Sequence, residues 1–486
     1  MSQLLVRPGP PLRGPGRVPG DKSISHRALM LGALADGVSH VEGFLPGGDC
    51  LATLGCMRAL GVEIEVRSDG FSRSDANFRA TAEAVTTNVT IHGHGLRGLR
   101  APSAPLDCVR SGTTMRLLAG ILAGQDFDSV LSGDPQLLRR PMRRVVEPLR
   151  AMGADISDTD GHGPLVIHGK RLRGGEHTLA VASAQVKSAL LLAGLFADGP
   201  TTVRQPGPSR DHTERMLKAQ VNGKWQMANG ESANQRIGES ALVINGLTVM
   251  LNPSAIEHLA PLNMTVPGDI SSAAFPLVAA LLVPDSEITL TGININWTRT
   301  GLLDVLAAMG AEITLTNEDT QGGEPVADLT VRTASLRGTE IGGDIVVRMI
   351  DEFPILAVAA TQARGTTLVR DAHELRVKET DRIATVVEEL RKLGASIEPR
   401  EDGFIVNGPT QLRGAVVDSH GDHRLGMALA VAGLIAEGET VIEGAERITD
   451  SFPGFVSIMQ GLGGHLTFQE AQWLYQELMD TPPWSD

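Results

Sequence analysis

The stretch "GDKSISHRALMLGALADG" (20–37) combines a polar start, an apolar run and a glycine turn, and this plan recurs along the chain. Asp21, Lys22 and Ser23 lie just before the apolar run. A nucleotide phosphate loop requires a glycine directly before the lysine, whereas this sequence has Asp21 there. The stretch therefore predicts an apolar helix whose polar start serves something other than a nucleotide loop.

The chain contains six copies of one sequence unit, each marked by the turn that follows an apolar segment. Each copy continues from a Gly or Asp turn into a β-prone strand, as in "ALADGVSHVEGF", "ILAGQDFDSVLSG", "FADGPTTVRQPG", "LVPDSEITLTG", "QARGTTLVRDA" and "IAEGETVIEGA". The period of about 70 to 90 residues is too long for a solenoid. After the third copy, residues 218–262 begin as a polar stretch that we interpret as a less regular insertion.

The repeats predict an α/β fold of six β-α-β-α-β-β units, three in each of two domains, with buried helices. A chain of 486 residues is long enough for two such domains. We expect a first lobe at 20–266 and a second lobe built from 1–19 and 267–486. The alternative is a generic α/β enzyme in which the similarity between units is accidental.

Composition limits the possible partners and location of the protein. A net charge of −14 argues against nucleic-acid binding, but it does not prevent local cations from binding a small anion. The three cysteines, Cys50, Cys56 and Cys108, are too few and too scattered for a disulfide framework or a zinc site. No signal peptide or membrane-spanning run is apparent, so a reduced, cytoplasmic setting is expected.

The segments that precede the six apolar helices share polar and basic residues. They read "GDKSISHR", "VRSGTTMR", "ASAQVKS", "PGDISSAA", "RMIDEFP" and "SHGDHRLG". Helix capping accounts for the Ser, Thr and Asp residues. Helix starts also attract anions, and this interpretation is favoured by the basic side chains beside them, which are Lys22, Arg27, Arg116, Lys187, His423 and Arg424. We expect the six starts to converge on a cleft between the domains.

Seven motifs between residues 19 and 464 closely resemble the 5-enolpyruvylshikimate-3-phosphate synthase family. They are "PGDKSISHRALMLGALA", "SGTTMRLLAG", "RRPMRRVVEPLRAMGA", "ASAQVKSALLLAGL", "SRDHTERML", "ELRVKETDRI" and "GDHRLGMALAVAGL". The resemblance implies a two-domain fold that closes on its substrates. It also implies transfer of the enolpyruvyl group of phosphoenolpyruvate to the 5-hydroxyl of shikimate 3-phosphate, in aromatic amino-acid biosynthesis. No metal or organic cofactor is implied; a monomer and sensitivity to glyphosate are expected.

The resemblance assigns roles to individual residues. Those implied to bind shikimate 3-phosphate are Lys22, Ser23, Arg27, Ser183, Ala184, Gln185, Ser209, Arg210, Asp351 and Lys378. Those implied to bind phosphoenolpyruvate are Lys22, Gly112, Arg140, Gln185, Arg382 and Arg424. The reaction needs two groups that change protonation state in one cycle. Asp351 matches the family's base near the 5-hydroxyl, Glu379 matches the acid that serves the methylene carbon, and Lys22 is the remaining proton-transfer candidate.

Structural roles are the alternatives for the same residues. Asp351 could lie at an exposed helix start, and Glu379 could be a capping or ion-pair residue. His423 could be a structural histidine. Cys108 is interpreted as a small core residue and not as a nucleophile.

The chain departs from the family pattern at three positions. Arg110 stands where many relatives have asparagine, and Asp450 stands where some relatives have a lysine that contacts phosphoenolpyruvate. Ala184 replaces the second of two serines found in many relatives. The first departure adds a cation near the site and the second removes one.

Three other functions are alternatives to this enolpyruvyl transfer. An enolpyruvyl transferase acting on UDP-N-acetylglucosamine would have Lys-Asn at the first helix start and a cysteine in a mobile loop. This chain has Lys22-Ser23 and the loop "SGDPQLLRRP" instead. A P-loop kinase lacks support because Asp21, and not a glycine, directly precedes Lys22. A noncatalytic phosphate-binding scaffold would not need Asp351 and Glu379 together.

Overall fold

The structure is a computed structural model that describes residues 2–69, 86–221, 225–227 and 240–469. Its strands are β1 (Gln3–Arg7), β2 (Arg13–Gly16), β3 (Asp36–Phe44), β4 (Glu63–Asp69), β5 (Thr86–His94), β6 (Leu106–Asp107), β7 (Asp128–Ser132), β8 (Asp155–Thr159), β9 (His162–His168), β10 (Gly175–Thr178), β11 (Thr201–Arg204), β12 (Trp225–Met227), β13 (Leu242–Asn245), β14 (Thr248–Leu251), β15 (Asn263–Thr265), β16 (Glu287–Asn294), β17 (Ile313–Gln321), β18 (Glu324–Arg332), β19 (Glu340–Ile341), β20 (Gly365–Val369), β21 (Ile397–Arg400), β22 (Gly403–Gly408), β23 (Val416–Asp418), β24 (Thr440–Glu443) and β25 (His465–Gln469).

The α-helices alternate with these strands. They are α1 (Lys22–Leu34), α2 (Gly48–Ala59), α3 (Gly112–Ala123), α4 (Pro135–Leu138), α5 (Arg143–Ala151), α6 (Ala184–Gly194), α7 (His212–Gln220), α8 (Ile270–Leu282), α9 (Gly301–Ala308), α10 (Asp344–Arg348), α11 (Phe353–Gln362), α12 (Arg382–Lys392), α13 (His423–Ile435) and α14 (Phe455–Gly461). Short 3-10 helices lie at Pro253–Ala255, His373–Val377 and Ala445–Asp450.

The described strands form six sheets that share one pairing scheme. Their strand orders are β15–β3–β5–β4, β6–β7–β9–β8, β10–β11–β14–β13–β12, β2–β16–β18–β17, β19–β20–β22–β21 and β23–β24–β1–β25. In each sheet the first pair in this order runs parallel and the next two pairs run antiparallel. The predicted α/β fold of six repeated units is confirmed.

The third unit differs from the others by one strand. β12 adds a parallel pair at the edge of its sheet. β13 and β14 form a regular antiparallel hairpin, so the prediction of an irregular insertion is wrong for 242–251. Residues 222–224 and 228–239, which belong to the same predicted insertion, lie outside the described residues.

The six apolar helices α1, α3, α6, α8, α11 and α13 are almost wholly buried, because their apolar residues occur on all sides of the helix. Helices α3 and α6 approach so closely that a Cβ atom on Gly120 would lie 2.2 Å from the carbonyl oxygen of Ala189. Only glycine fits at that position. No described helix is long and apolar enough to span a membrane.

The buried apolar residues fall into two separate clusters. One contains residues between Ile24 and Val266, and the other contains residues of Leu4–Val18 and Ile270–Leu466. The N-terminal strands contribute to the second cluster because β1 lies between β24 and β25, and β2 pairs with β16. The chain thus crosses between the two clusters near Gly20 and again near Gly268.

Candidate active site

All six apolar helices begin at the polar segments identified in the sequence. The side chains of Asp21, Ser111, Ser183, Asp269 and Asp422 each accept a hydrogen bond from a backbone N–H in the first turn of their helices. The capping interpretation is therefore correct for these five residues. Capping does not account for the basic side chains and the two carboxylates at the same helix starts.

Polar contacts join the two clusters across a cleft at these helix starts. Gln136 Nε2 donates to the backbone oxygen of Glu379 at 2.7 Å. Arg140 Nη1 lies 3.4 Å from Glu379 Oε1, and Arg210 Nη2 lies 2.5 Å from Asp351 Oδ2. The structure therefore brings predicted site residues from both halves of the chain to one place.

Lys22 lies at the start of α1 and pairs with Asp49, whose Oδ2 is 2.9 Å from Lys22 Nζ. Burial alone would lower the pKa of Lys22, but the Asp49 and Glu379 carboxylates together outweigh it and raise the pKa. Lys22 is therefore protonated in the empty site. Sequence reasoning missed Asp49, although "GGDC" placed an acid at the start of α2.

Asp351 lies two residues before α11 and is surrounded by cations. Its Oδ1 is 3.5 Å from Arg382 Nη1, in addition to its contact with Arg210. Burial would raise the pKa of Asp351, but Arg210, Arg424 and other neighbouring cations lower it well below its usual value. Its side chain is only 18% exposed, so the alternative of an exposed helix start is wrong.

Glu379 is held by two arginines. Arg382 Nη2 lies 2.8 Å from Glu379 Oε2, and Arg140 approaches the other carboxylate oxygen. Burial opposes ionisation, but Arg382, Arg140 and other cations lower the pKa of Glu379 well below its usual value. Glu379 is indeed an ion-pair residue, and its partners are two arginines that were themselves predicted for the site.

Arg382 is a buried side chain that contacts three carboxylates. Its Nε donates to Asp422 Oδ2 at 2.7 Å, while its two Nη atoms face Asp351 and Glu379. Asp422 also caps α13, and it was not predicted as a site residue. The "DHR" motif was the available signal, since it places Asp422 directly before two basic residues.

Gly112 and Gln185 lie at the starts of α3 and α6, and Arg140, between α4 and α5, lies beside Gly112. A Cβ atom on Gly112 would lie 3.0 Å from both Arg140 Nη1 and Arg116 Nη1. Gln185 accepts from Arg116 Nη1 at 2.7 Å and donates to Thr113 Oγ1 at 2.9 Å. Burial lowers the pKa of Arg116 to about 9. Arg116 and Thr113 are site residues that were absent from the predicted binding set.

Several predicted shikimate 3-phosphate contacts are engaged with protein groups. Arg27 donates to the backbone oxygen of Ser23 at 2.9 Å and to two buried hydroxyls, so it supports the first turn of α1. Arg210 Nη1 approaches Ser23 Oγ at 3.5 Å. Ser209 contacts Gln205 Oε1.

The remaining predicted contacts occupy both sides of the cleft. Ser183 caps α6, and Ala184 is its first residue. Burial lowers the pKa of Lys378, which faces Asp351. Arg424 Nη1 lies 3.5 Å from the backbone oxygen of Ser271.

A small cavity lies beside Lys22 between the two halves of the chain. It is lined by Asp49, Arg110, Gln136, Leu137, Arg140, Glu379, Gly421, His423 and Asp450. Burial and the neighbouring Asp49 raise the pKa of Asp450 to about 6. Burial and Lys22 lower the pKa of His423 to about 4, so His423 is neutral near pH 7. Two of the three residues that depart from the family pattern, Arg110 and Asp450, thus face the same space.

Two further residues that the sequence singled out, Lys187 and Cys108, lie in the protein interior. Lys187 pairs with Glu214 at 2.6 Å, and both side chains are buried. Cys108 is fully buried in the first cluster, as expected for a core residue. Lys187 therefore has a partner within its own half of the chain, although it was predicted as one of the cations at the helix starts.

Comparison with known proteins agrees with this architecture. An EPSP synthase structure from Acinetobacter baumannii covers 97% of this chain and 100% of its own, with 40% identity and a TM-score of 0.79. A second EPSP synthase structure from that organism gives a TM-score of 0.77 at 40% identity, over 97% of this chain and 100% of its own. Fold and site together define an enolpyruvyl transferase.

The family follows from sequence over nearly the whole chain. The chain belongs to the EPSP synthase (3-phosphoshikimate 1-carboxyvinyltransferase) family, whose model matches residues 6–459. A 3-phosphoshikimate 1-carboxyvinyltransferase of Herpetosiphon aurantiacus is 52% identical, covering 91% of this chain and 95% of that protein. The corresponding protein of Brevibacillus brevis is 50% identical, over 94% of this chain and 99% of its own length.

Proposed function

We propose that this chain transfers the enolpyruvyl group of phosphoenolpyruvate to the 5-hydroxyl of shikimate 3-phosphate and releases phosphate. Family membership supports the reaction and both substrates. The observation that carries the assignment of roles is Arg382, whose guanidinium lies 3.5 Å from Asp351 and 2.8 Å from Glu379. This single buried cation thereby contacts both proposed acid–base residues, so their carboxylates face the same part of the cleft beside Lys22.

The charge states of Asp351 and Lys22 in the empty site suit the first step. Asp351 is ionised and can accept the proton of the 5-hydroxyl as that oxygen forms its bond to C2 of phosphoenolpyruvate. The methylene carbon must gain a proton in the same step. We assign that proton to Glu379, whose pKa rises when two phosphorylated carboxylates add negative charge nearby. Lys22 is protonated, stabilises the developing charge and is the remaining proton-transfer candidate.

The second step reverses the proton transfer at carbon. Glu379, now a carboxylate, takes back a proton from the methyl group while the bond from C2 to the phosphate oxygen breaks. The enolpyruvyl double bond re-forms and phosphate leaves. The net change moves the hydroxyl proton to the released phosphate or to solvent, and no electrons are gained or lost.

The binding groups are proposed from the family resemblance and their places in the cleft. Shikimate 3-phosphate would be held by Lys22, Ser23, Arg27, Ser183, Ala184, Gln185, Ser209, Arg210, Asp351 and Lys378. Phosphoenolpyruvate would be held by Lys22, Gly112, Arg140, Gln185, Arg382 and Arg424. Arginine suits both ligands because its planar fork matches carboxylate and phosphate oxygens. We propose that no metal or organic cofactor takes part, and EDTA should leave turnover unchanged.

We further propose that the chain works as a cytoplasmic monomer of two lobes, 20–266 and 1–19 with 267–486. The two apolar clusters support this division, since each can remain packed while the cleft changes width. Saturation with both substrates should then compact the protein. Small-angle scattering measures the change, and an unaltered radius of gyration would contradict closure. The same data give the molecular mass, and a dimer would contradict the proposed oligomeric state.

The reaction itself is tested by phosphate release from phosphoenolpyruvate. We expect release that depends on shikimate 3-phosphate and does not occur when UDP-N-acetylglucosamine replaces it. Release that depends on UDP-N-acetylglucosamine would support the rival transferase. Binding of both ligands without any phosphate release would support a noncatalytic scaffold.

A further inference from the structure

The two crossings between the halves of the chain are hydrogen-bonded to each other. Gly20 and Gly268 form an antiparallel bridge. The backbone N–H of Asp21 donates to the oxygen of Pro267 at 2.8 Å, and that of Asp269 donates to the oxygen of Pro19 at 2.9 Å. Directly after the crossings, Asp21 caps α1 and Asp269 caps α8. The first helix on each side of the cleft therefore begins at one shared junction.

Arg299 lies at this junction with its side chain 2% exposed. Its Nη1 lies 2.6 Å from Asp21 Oδ2, and its Nη2 lies 3.0 Å from Asp269 Oδ1. The guanidinium thus joins the two cap carboxylates, one from each half of the chain. Buried charges of this kind need well-placed partners, so removing the arginine would leave two unpaired carboxylates.

The junction is connected to the proposed acid–base residues on both sides. Asp21 directly precedes Lys22, and the backbone N–H of Lys22 lies 3.5 Å from Asp269 Oδ2. On the other side, Arg299 Nη2 donates to Ser271 Oγ at 2.7 Å, and Ser271 Oγ contacts Glu352 Oε1. Glu352 is the residue after Asp351. Asp269 therefore links Arg299 to the backbone of Lys22. Ser271 and Glu352 link Arg299 to the backbone next to Asp351.

We propose that Arg299 is a positioning residue that fixes Lys22 and Asp351 relative to each other through the two helix caps. This role rests on the proposed function, because it concerns the distance between two groups that act on one substrate. A lysine cannot replace it, since an ammonium group lacks the planar fork that reaches two carboxylates at once. Small displacements of reacting groups are costly, and about 1 Å can reduce a rate about 10²-fold.

The first test compares Arg299→Lys with Arg332→Lys in the phosphate-release assay. Arg332 is an exposed arginine paired with Glu287, so its variant controls for the loss of one guanidinium. We expect Arg299→Lys to lower kcat about 10²-fold and Arg332→Lys to change it less than twofold. Normal turnover by Arg299→Lys would overturn the proposal.

The second test separates positioning from stability. A triple variant, Arg299→Met with Asp21→Asn and Asp269→Asn, removes the unpaired charges and keeps side chains that can cap both helices. We expect the triple variant to recover the melting temperature lost by Arg299→Met alone, while kcat stays about 10²-fold low. Recovery of kcat together with the melting temperature would assign Arg299 a structural role only. An unmodified protein that releases no phosphate would overturn the proposed function and, with it, this role.

Discussion

Arg210 Nη2 lies 2.5 Å from Asp351 Oδ2, although 141 positions separate the two residues and they belong to different apolar halves of the chain. The empty site therefore pairs the proposed base with a cation that the family resemblance assigns to the phosphate of shikimate 3-phosphate. A base whose pKa is held this low is a weak proton acceptor. Binding of the phosphate to Arg210 would relieve that restraint where the substrate hydroxyl arrives.

Replacing Arg210 should change the pH dependence of the reaction. Arg210→Gln removes a positive charge beside Asp351, so the pKa of this carboxylate rises toward its usual value. Because the base must be ionised, the acid limb of kcat/KM should move to higher pH, and the loss of activity should be greater near pH 4 than at pH 8. The exposed Arg204, which pairs with Glu176, provides the control variant Arg204→Gln. An acid limb that stays in place would contradict the pairing.

Glu379→Gln should abolish most of the activity without abolishing binding. Glutamine keeps the size and a hydrogen-bonding oxygen of the side chain but cannot carry the transferred proton. We expect kcat to fall at least about 10²-fold, while calorimetry still detects shikimate 3-phosphate binding. Glu398→Gln changes an exposed glutamate in β21 and should leave kcat unchanged. Normal turnover by Glu379→Gln would remove this residue from the mechanism.

Asp450→Asn should stabilise the protein in a pH-dependent way. The pKa of Asp450 is raised from 3.8 to about 6, so the folded state disfavours its ionised form. The resulting cost is fully present above pH 6 and is lost as the pH falls toward 3.8, below which the carboxyl is protonated in both states. We expect a gain of at most about 3 kcal/mol at pH 8 and a smaller gain at pH 5. Melting temperatures at both pH values measure this, with the exposed Asp155→Asn as control. Equal gains would contradict the raised pKa.

Gly112→Ala should weaken inhibition by glyphosate more than it weakens binding of phosphoenolpyruvate. The added methyl group would lie 3.0 Å from Arg140 Nη1, which forces that guanidinium to shift. A clash of this kind weakens most the binding of the ligand that fills the space, and glyphosate is longer than phosphoenolpyruvate. We expect the unmodified protein to be inhibited competitively with phosphoenolpyruvate. An equal increase in the inhibition constant and in KM would contradict the placement of Gly112 beside this ligand.

The repeated architecture was predictable from the sequence because it depends on local patterns. Apolar runs, glycine turns and β-prone strands recur in order, so the six units and their buried helices could be predicted. The helix caps were predictable for the same reason, since a cap such as Ser111 or Asp422 bonds within its own first turn. The hairpin of β13 and β14 was missed because the polar stretch at 218–235 interrupts the repeat before it, although both strands are themselves β-prone.

The sequence by itself determined the six-unit fold, the six helix starts and, through family resemblance, the choice of residues for the cleft. Only the tertiary structure decided which charges meet. Asp49 with Lys22, Asp422 with Arg382, and Arg299 with two cap carboxylates each join residues far apart in the chain. The Coulomb energy of a pair depends on the distance between charges and on their burial, and neither is encoded in sequence spacing. The protonation state of each proposed catalytic group is therefore a property of the folded cleft.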